Sequence, residues 1–328
     1  MAAVNRDHGG GTQQRSAAAT LARVLGIAIV TLVAAALLTE MGLRLLGLGR
    51  PVLYDNRLAY GFRPLPAQAL RRQGNATVRI NALGLRGPDV APARPLDTMR
   101  LLFLGDSVTY GGSYVDDEEI LSSVAAEELR RAGFAKVEAL NAGVNAWGPA
   151  NIVGLLETTG GFDSNVWVVI AVDDDFRREK TRIGEVPYFN VAPRTALEEI
   201  LVLGAYRLLT SYKLPKPAAD DRELAETNLD RYRRIAEAGR QRGASVLLVW
   251  HPDARGARGG AQRNRSAFLD MAAREHLPVL DLATAYGSDD TLYSDGLHLS
   301  VAGHRVAGQA IGRELVRLLR GERHPESR

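Results

Sequence analysis

The stretch Leu101-Leu102-Phe103-Leu104-Gly105-Asp106-Ser107-Val108-Thr109-Tyr110-Gly111-Gly112 decides how the rest of the chain is read. Four consecutive apolar residues predict a buried strand, and Gly105 breaks it into a tight turn that leads towards a helix beginning near Asp116. Ser107 then falls at the carboxyl end of a strand, the edge where open α/β sheets hold their ligands. A serine there offers a hydroxyl nucleophile and its own N–H as an oxyanion donor, provided a base comes near. Taken alone, the same residues also read as an ordinary helix N-cap or turn.

A base is offered far along the chain, in Ser294-Asp295-Gly296-Leu297-His298-Leu299-Ser300. Asp295 and His298, three residues apart just before an amphipathic C-terminal helix, can make a carboxylate–imidazole pair on one loop. Alone, they read as a helix cap and a first-turn histidine. His304 lies one turn into that helix and lacks an aspartate three residues before it, so His298 is preferred. His251, at a strand end, reads as a capped loop histidine.

Between these two segments the pattern alternates. Strands are predicted at Arg100–Leu104, Val137–Leu140, Val166–Val172, Ser245–Trp250 and Pro278–Leu282, with helical patterns that include Asp116–Arg131 and Val301–Arg320. The class this predicts is α/β, a single doubly wound parallel five-stranded sheet covered on both faces.

In this order and context, the Gly105-Asp106-Ser107 turn and the Asp295–His298 segment resemble the SGNH (GDSL-type) hydrolase family, from Arg100 to the last helix. Asn81-Ala82-Leu83-Gly84-Leu85-Arg86-Gly87 resembles the segment that precedes the nucleophile strand in membrane-anchored members. The resemblance implies a flavodoxin-like fold with Ser107 as nucleophile, His298 as base and Asp295 orienting it. It also implies oxyanion donors from the Ser107 N–H, from a glycine N–H after the second strand, and from an asparagine side chain after the third.

Both of the last two positions depart from the family pattern. Asn141-Ala142-Gly143-Val144-Asn145-Ala146 puts Ala146 in the second glycine's place, where the N–H survives but the backbone must avoid conformations that only glycine tolerates. Val172-Asp173-Asp174-Asp175-Phe176 puts Asp173 in the asparagine slot, or Asp174 if the match slips by one. An ionised aspartate would repel the oxyanion, whereas a protonated one would donate to it. Repulsion among three adjacent acids favours keeping one of them protonated. Adjacent residues on an extended chain point to opposite sides and cannot all face one ion, so no metal site and no cofactor are expected. Asp106, Trp147 and Asp174 are expected to contact substrate, while Arg86 reads as a pin between a hairpin and the sheet.

The 328 residues carry a net charge of +3, with Arg scattered through every segment, which excludes a nucleic-acid stripe as the organising feature. The absence of cysteine excludes disulfides and thiolate metal sites. Residues 1–19 read as a disordered tail and 20–48 as a transmembrane helix, with Val24 to Leu38 uncharged. A cleaved signal and an uncleaved signal anchor both fit, and the continuing Leu43-Arg44-Leu45-Leu46 favours the anchor. Residues 49–97 form a connector with a hairpin, and 98–322 the hydrolase-like domain. An insertion at 176–222, with a helix near Ala196–Tyr212, either shapes a substrate cleft or forms a solvated cap.

The resemblance implies a serine esterase or deacylase of the bacterial inner membrane, its catalytic part extracytoplasmic, acting on O-acyl and above all O-acetyl esters of envelope glycans or lipids. A binding or assembly module with little catalysis, and an acyltransferase that passes the acyl group to a glycan hydroxyl, are the alternatives. Protein partners are left unspecified.

Overall fold

The structure is a computed structural model and describes residues 10–185, 188–211 and 221–321. The chain opens with α1 (Gly10–Leu45) and two short antiparallel hairpins, β1 (Tyr54–Leu58) with β2 (Gly61–Pro64) and β3 (Gln68–Arg71) with β4 (Thr77–Ile80). The α/β part follows as β5 (Met99–Leu104), α2 (Ser107–Tyr110), α3 (Leu121–Arg131), β6 (Val137–Asn141), α4 (Pro149–Thr159), β7 (Val166–Ala171), α5 (Ala196–Ser211) and α6 (Asp221–Gln241). It closes with β8 (Ser245–Trp250), α7 (Ala254–Ala257), α8 (Arg265–Arg274), β9 (Val279–Asp281), α9 (Ala283–Tyr286) and α10 (Val301–Leu319).

The five strands from β5 onward form one parallel sheet in the order β6-β5-β7-β8-β9, as the alternating pattern predicts. The chain steps from β5 to one side and then returns to the other, so the order reverses at β5. Its carboxyl end therefore opens into the crevice where doubly wound sheets bind ligands. The strands are apolar on both faces, as two covering layers require. Leu101 and Phe103 pack under α3 and α10, while Leu102 and Leu104 join the layer that contains α4, α6 and α8.

Three local expectations change. The helix expected from Asp116 begins at Leu121, and a one-turn helix, α2, precedes it. The Glu119 N–H bonds to the Asp116 carbonyl and the Glu118 N–H to the Asp116 side chain, closing a separate turn before α3. Residues 10–19, read as a tail, belong to α1, and residues 1–9 lie outside the described residues. The connector is also more than a linker: Val52, Tyr54, Phe62, Val78, Ile80 and Leu85 are buried in the main core. Within α1, Ala19–Leu45 is long and apolar enough to cross a membrane.

Candidate active site

The Ser107 turn is shaped by close backbone approach and by buried charge. A side chain at Gly105 would meet Thr109 Oγ1 at 2.1 Å, so only glycine lets the chain turn directly into α2. Asp106, buried, caps α2 by accepting the Val108 N–H at 2.9 Å. Its other oxygen accepts from Arg178 Nη1 at 2.8 Å, and the same nitrogen donates to the Trp147 carbonyl at 3.0 Å and to Asp175 Oδ1 at 2.9 Å.

From the other side, Arg86 is fully buried with Nε on Asp117 Oδ1 at 2.9 Å. Its Nη atoms donate to the carbonyls of Tyr110, Gly112 and Val115 at 2.8, 2.6 and 2.5 Å. Arg86 thus ties the hairpin segment to the loop after α2, which is the pinning role expected of it. Its carboxylate partner Asp117 also accepts the Arg79 N–H at 2.8 Å.

The loop after α9 brings the other two residues to the same edge. Asp295 Oδ1 accepts the N–H groups of Leu297 (3.1 Å) and His298 (2.8 Å), and the Ser294 N–H bonds to the His298 carbonyl at 2.8 Å. These bonds fold the segment into a tight loop and hold the imidazole. His298 Nδ1 lies 2.7 Å from Asp295 Oδ2, and Nε2 lies 2.8 Å from Ser107 Oγ. With Nδ1–H donated to the carboxylate, Nε2 is free to accept the serine hydroxyl proton. Partial burial pushes the Asp295 carboxyl up, but the His298 and Leu297 hydrogen bonds outweigh it and hold the group below the usual carboxylate range.

The two other histidines near this edge bond to other partners. His251 is buried, with Nδ1 3.0 Å from the Tyr286 hydroxyl and Nε2 2.9 Å from the Leu297 carbonyl, and burial pushes it down to about 4. It therefore stays neutral and braces the residue next to His298. His304 is also buried, accepts the Leu121 N–H at 3.3 Å, and is pushed down to about 3 by burial and by Arg86.

A cleft of about 430 Å³ opens beside the Ser107–His298 contact, lined by Asp173, Asp174, Arg177, Asp253 and the Asp295–His298 loop. Asp174 faces it half-exposed and pairs with Arg177. Asp106 and Trp147 are buried behind the site and are corrected to structural roles, one as a helix cap and the other as a core ring packed on Tyr60 and Phe62.

At the oxyanion positions, Asp173 Oδ1 accepts both the backbone N–H and the side-chain N–H of Asn264, at 3.0 and 3.1 Å. Ala146 adopts φ +61°, in the small left-handed region that a residue with a Cβ enters only at a cost. Among the three acids, the one pushed upward is Asp175, to about 7, and the causes are burial and the Asp106 charge, not its immediate neighbours. Its carboxylate accepts from Val172 N at 3.0 Å and Tyr232 Oη at 2.6 Å. Among the described residues, no cluster of acids and histidines suits a metal ion.

Arg178, Asp117 and the bracing role of His251 escaped the sequence reading. Arg177-Arg178 directly after an acidic strand end was the available signal for the first.

No protein-family model and no curated protein matches the chain. Solved structures with a similar fold include a protein assigned to the G-D-S-L lipolytic family from Desulfitobacterium hafniense, at 15% identity over 66% of this chain and 99% of that one, with a TM-score of 0.43. An acetylxylan esterase from Geobacillus stearothermophilus, solved as a catalytic mutant, matches at 14% identity over 66% and 94%, TM-score 0.45. A two-domain esterase active on acetylated mannans matches at 16% identity, TM-score 0.46, over 70% of this chain and 51% of that one.

Proposed function

We propose that the chain is a serine esterase of the SGNH type, anchored in the membrane by α1 with its α/β domain outside the cytoplasm, and that it removes O-acyl groups from envelope glycans or lipids. The observation that carries this reading is the unbroken relay from Ser107 Oγ through His298 to Asp295, with contacts of 2.8 and 2.7 Å. In that reading His298 Nε2 takes the Ser107 proton as Oγ attacks the ester carbonyl, and Asp295 stabilises the imidazolium that forms. The imidazolium then protonates the departing alcohol, and water repeats the cycle on the acyl-enzyme. The N–H groups of Ser107 and Ala146 would receive the oxyanion.

The cleft presents four carboxylates against one guanidinium, Arg177, which favours a neutral acylated sugar over an anionic ester. An acetylated polysaccharide is the substrate class of two proteins of similar fold, the acetylxylan esterase and the esterase active on acetylated mannans. A weakly catalytic binding module is the second reading. It is favoured by the carboxylates of Asp173 and Asp174 at the edge where a donating amide would serve catalysis.

A fluorophosphonate probe applied to the purified full chain separates the two. Labelling of the wild type and none of Ser107→Ala is the expected result; no labelling of a folded wild type would sink the esterase reading.

A further inference from the structure

Among the described residues, exposed large apolar side chains are frequent on α1, and beyond it they gather on one other element. Leu197, Leu201, Val202, Leu208 and Leu209 of α5 are exposed, Leu201 by 62% and Leu209 by 63%. From Ile200 to Leu209 this helix carries a single charged residue, Arg207. Contiguous apolar surface on this scale marks an interaction site, and its position in the fold tells which.

The first turn of α5 is fastened to the end of α1. Glu40 accepts the Ala196 N–H at 2.9 Å and the Leu197 N–H at 3.2 Å, and Arg44 donates to the Arg194 carbonyl at 3.3 Å. Glu199, buried, accepts the Gly49 N–H at 2.6 Å and pairs with Arg72 at 2.6 Å, and α1 packs against α5. The apolar helix α5 therefore starts beside the end of α1, at the point where α1 meets the domain. Beside the end of α1, Arg44, Arg50, Arg71 and Arg79 line a cavity of about 450 Å³, Arg44 pairing with Glu40 at 2.6 Å and Arg79 with Asp117 at 3.3 Å. Cations in that position match anionic headgroups beside a spanning helix.

We propose that α5 is a second membrane-contacting element, its apolar side chains seated in the bilayer interface beside α1 and the four arginines set against anionic headgroups. This rests on the reading of α1 as an anchor. At 16 residues α5 is shorter than the roughly 20 needed to span, but a helix of this kind can settle roughly 5–10 Å into the headgroup–acyl boundary. Anchor and insertion then hold the domain at two points, which restricts its tumbling over the membrane surface.

The absence of cysteine allows single labels to be placed without background. Leu32→Cys in α1, Leu201→Cys and Leu209→Cys in α5, and Ser266→Cys at an exposed position of α8 are each labelled with an environment-sensitive fluorophore in the full chain. Each is reconstituted into phosphatidylethanolamine–phosphatidylglycerol vesicles that carry nitroxide on the acyl chains, near the headgroup for the labels at 201, 209 and 266 and at the chain centre for the label at 32, the midpoint of the apolar span. The labels at 201 and 209 are expected to lose about half of their emission, as buried interfacial groups do, while the label at 266 keeps its own. Quenching at 32 without quenching at 201 and 209 overturns the proposal and leaves the anchor intact. No quenching at 32 removes the anchor reading and this proposal with it. Shielding of 201 and 209 from aqueous iodide that rises with protein concentration in detergent would assign the face to a second copy and also overturn it.

Discussion

The turn that carries Ser107 is braced from behind by buried charge, whereas the loop that carries Asp295 and His298 is tied at the surface by a few local bonds. Arg86, Asp117, Asp106 and Asp175 around the first are all nearly inaccessible, and Arg178 is mostly so. On the second, Asp295 is 61% and His298 33% exposed. Its outer supports are the neutral His251 and Tyr114, whose hydroxyl donates to the Leu299 carbonyl at 2.9 Å. Desolvated charge costs folding free energy unless every partner is in place, so it suits a group that must not move. A solvated loop adds little to stability and leaves the imidazole room to turn. The two halves should therefore answer to mutation in different observables.

The largest effect is expected at the exposed half and in rate alone. His298→Ala should lower arylester turnover by about 10⁴-fold while leaving the thermal midpoint almost unchanged, because the ring is lost from a solvated loop. A large drop in midpoint would show that this loop also carries the fold. Arg86→Met reverses the pattern. It leaves Asp117 buried without its main partner and three carbonyls without donors, and should cost about 3–5 kcal/mol in urea unfolding. A loss below about 1 kcal/mol would mean that the Ser107 turn holds itself.

Acid should distinguish the groups that brace the site. His251 is held neutral in the fold at about 4, against an ordinary value of 6.5, so between those values the unfolded chain binds more protons. Stability contributed by its burial is present above pH 6.5 and is lost as pH falls towards 4, by on the order of 3 kcal/mol. Asp175 acts in the opposite sense. Raised from 3.8 to about 7, it binds its proton more tightly in the fold, so its contribution is lost as pH rises through that window. The two slopes oppose each other in the wild type. Asp175→Asn should therefore steepen the loss of stability between pH 6.5 and 4, measured by urea midpoints at each pH. An unchanged slope would show that Asp175 is already ionised beside Arg178.

The strands, the crevice at Ser107 and the Asp295–His298 pairing were legible because each is local. A run such as Val166–Ala171 declares its burial, and the spacing of Asp295 and His298 lies within one loop. Arg178 was not legible, since its partners Asp106 and Trp147 lie 72 and 31 residues away and only the fold brings them together. The same holds for Asp173, whose role is set by Asn264, 91 residues on. Asp106 and Trp147 were misplaced for a related reason: adjacency to Ser107 or to Ala146 in sequence says nothing about which face of the turn a side chain takes.

The smallest effect tests whether the Ser107 side of the site stores backbone strain. Ala146 at φ +61° holds its methyl against its own carbonyl side, which costs about 1–2 kcal/mol for a residue with a Cβ. Its carbonyl is kept in place by the Thr181 hydroxyl at 2.8 Å, and the next carbonyl, of Trp147, by Arg178, so the conformation is imposed by the surroundings. Ala146→Gly removes the steric cost but gives the unfolded chain more freedom, about 0.5–1 kcal/mol in the other direction. The net expectation is a gain of about 0.5 kcal/mol in urea unfolding at unchanged denaturant slope, with turnover preserved because the N–H remains. A loss of stability would mean that the left-handed turn is relaxed in alanine, and that the position is tuned for the geometry of its N–H.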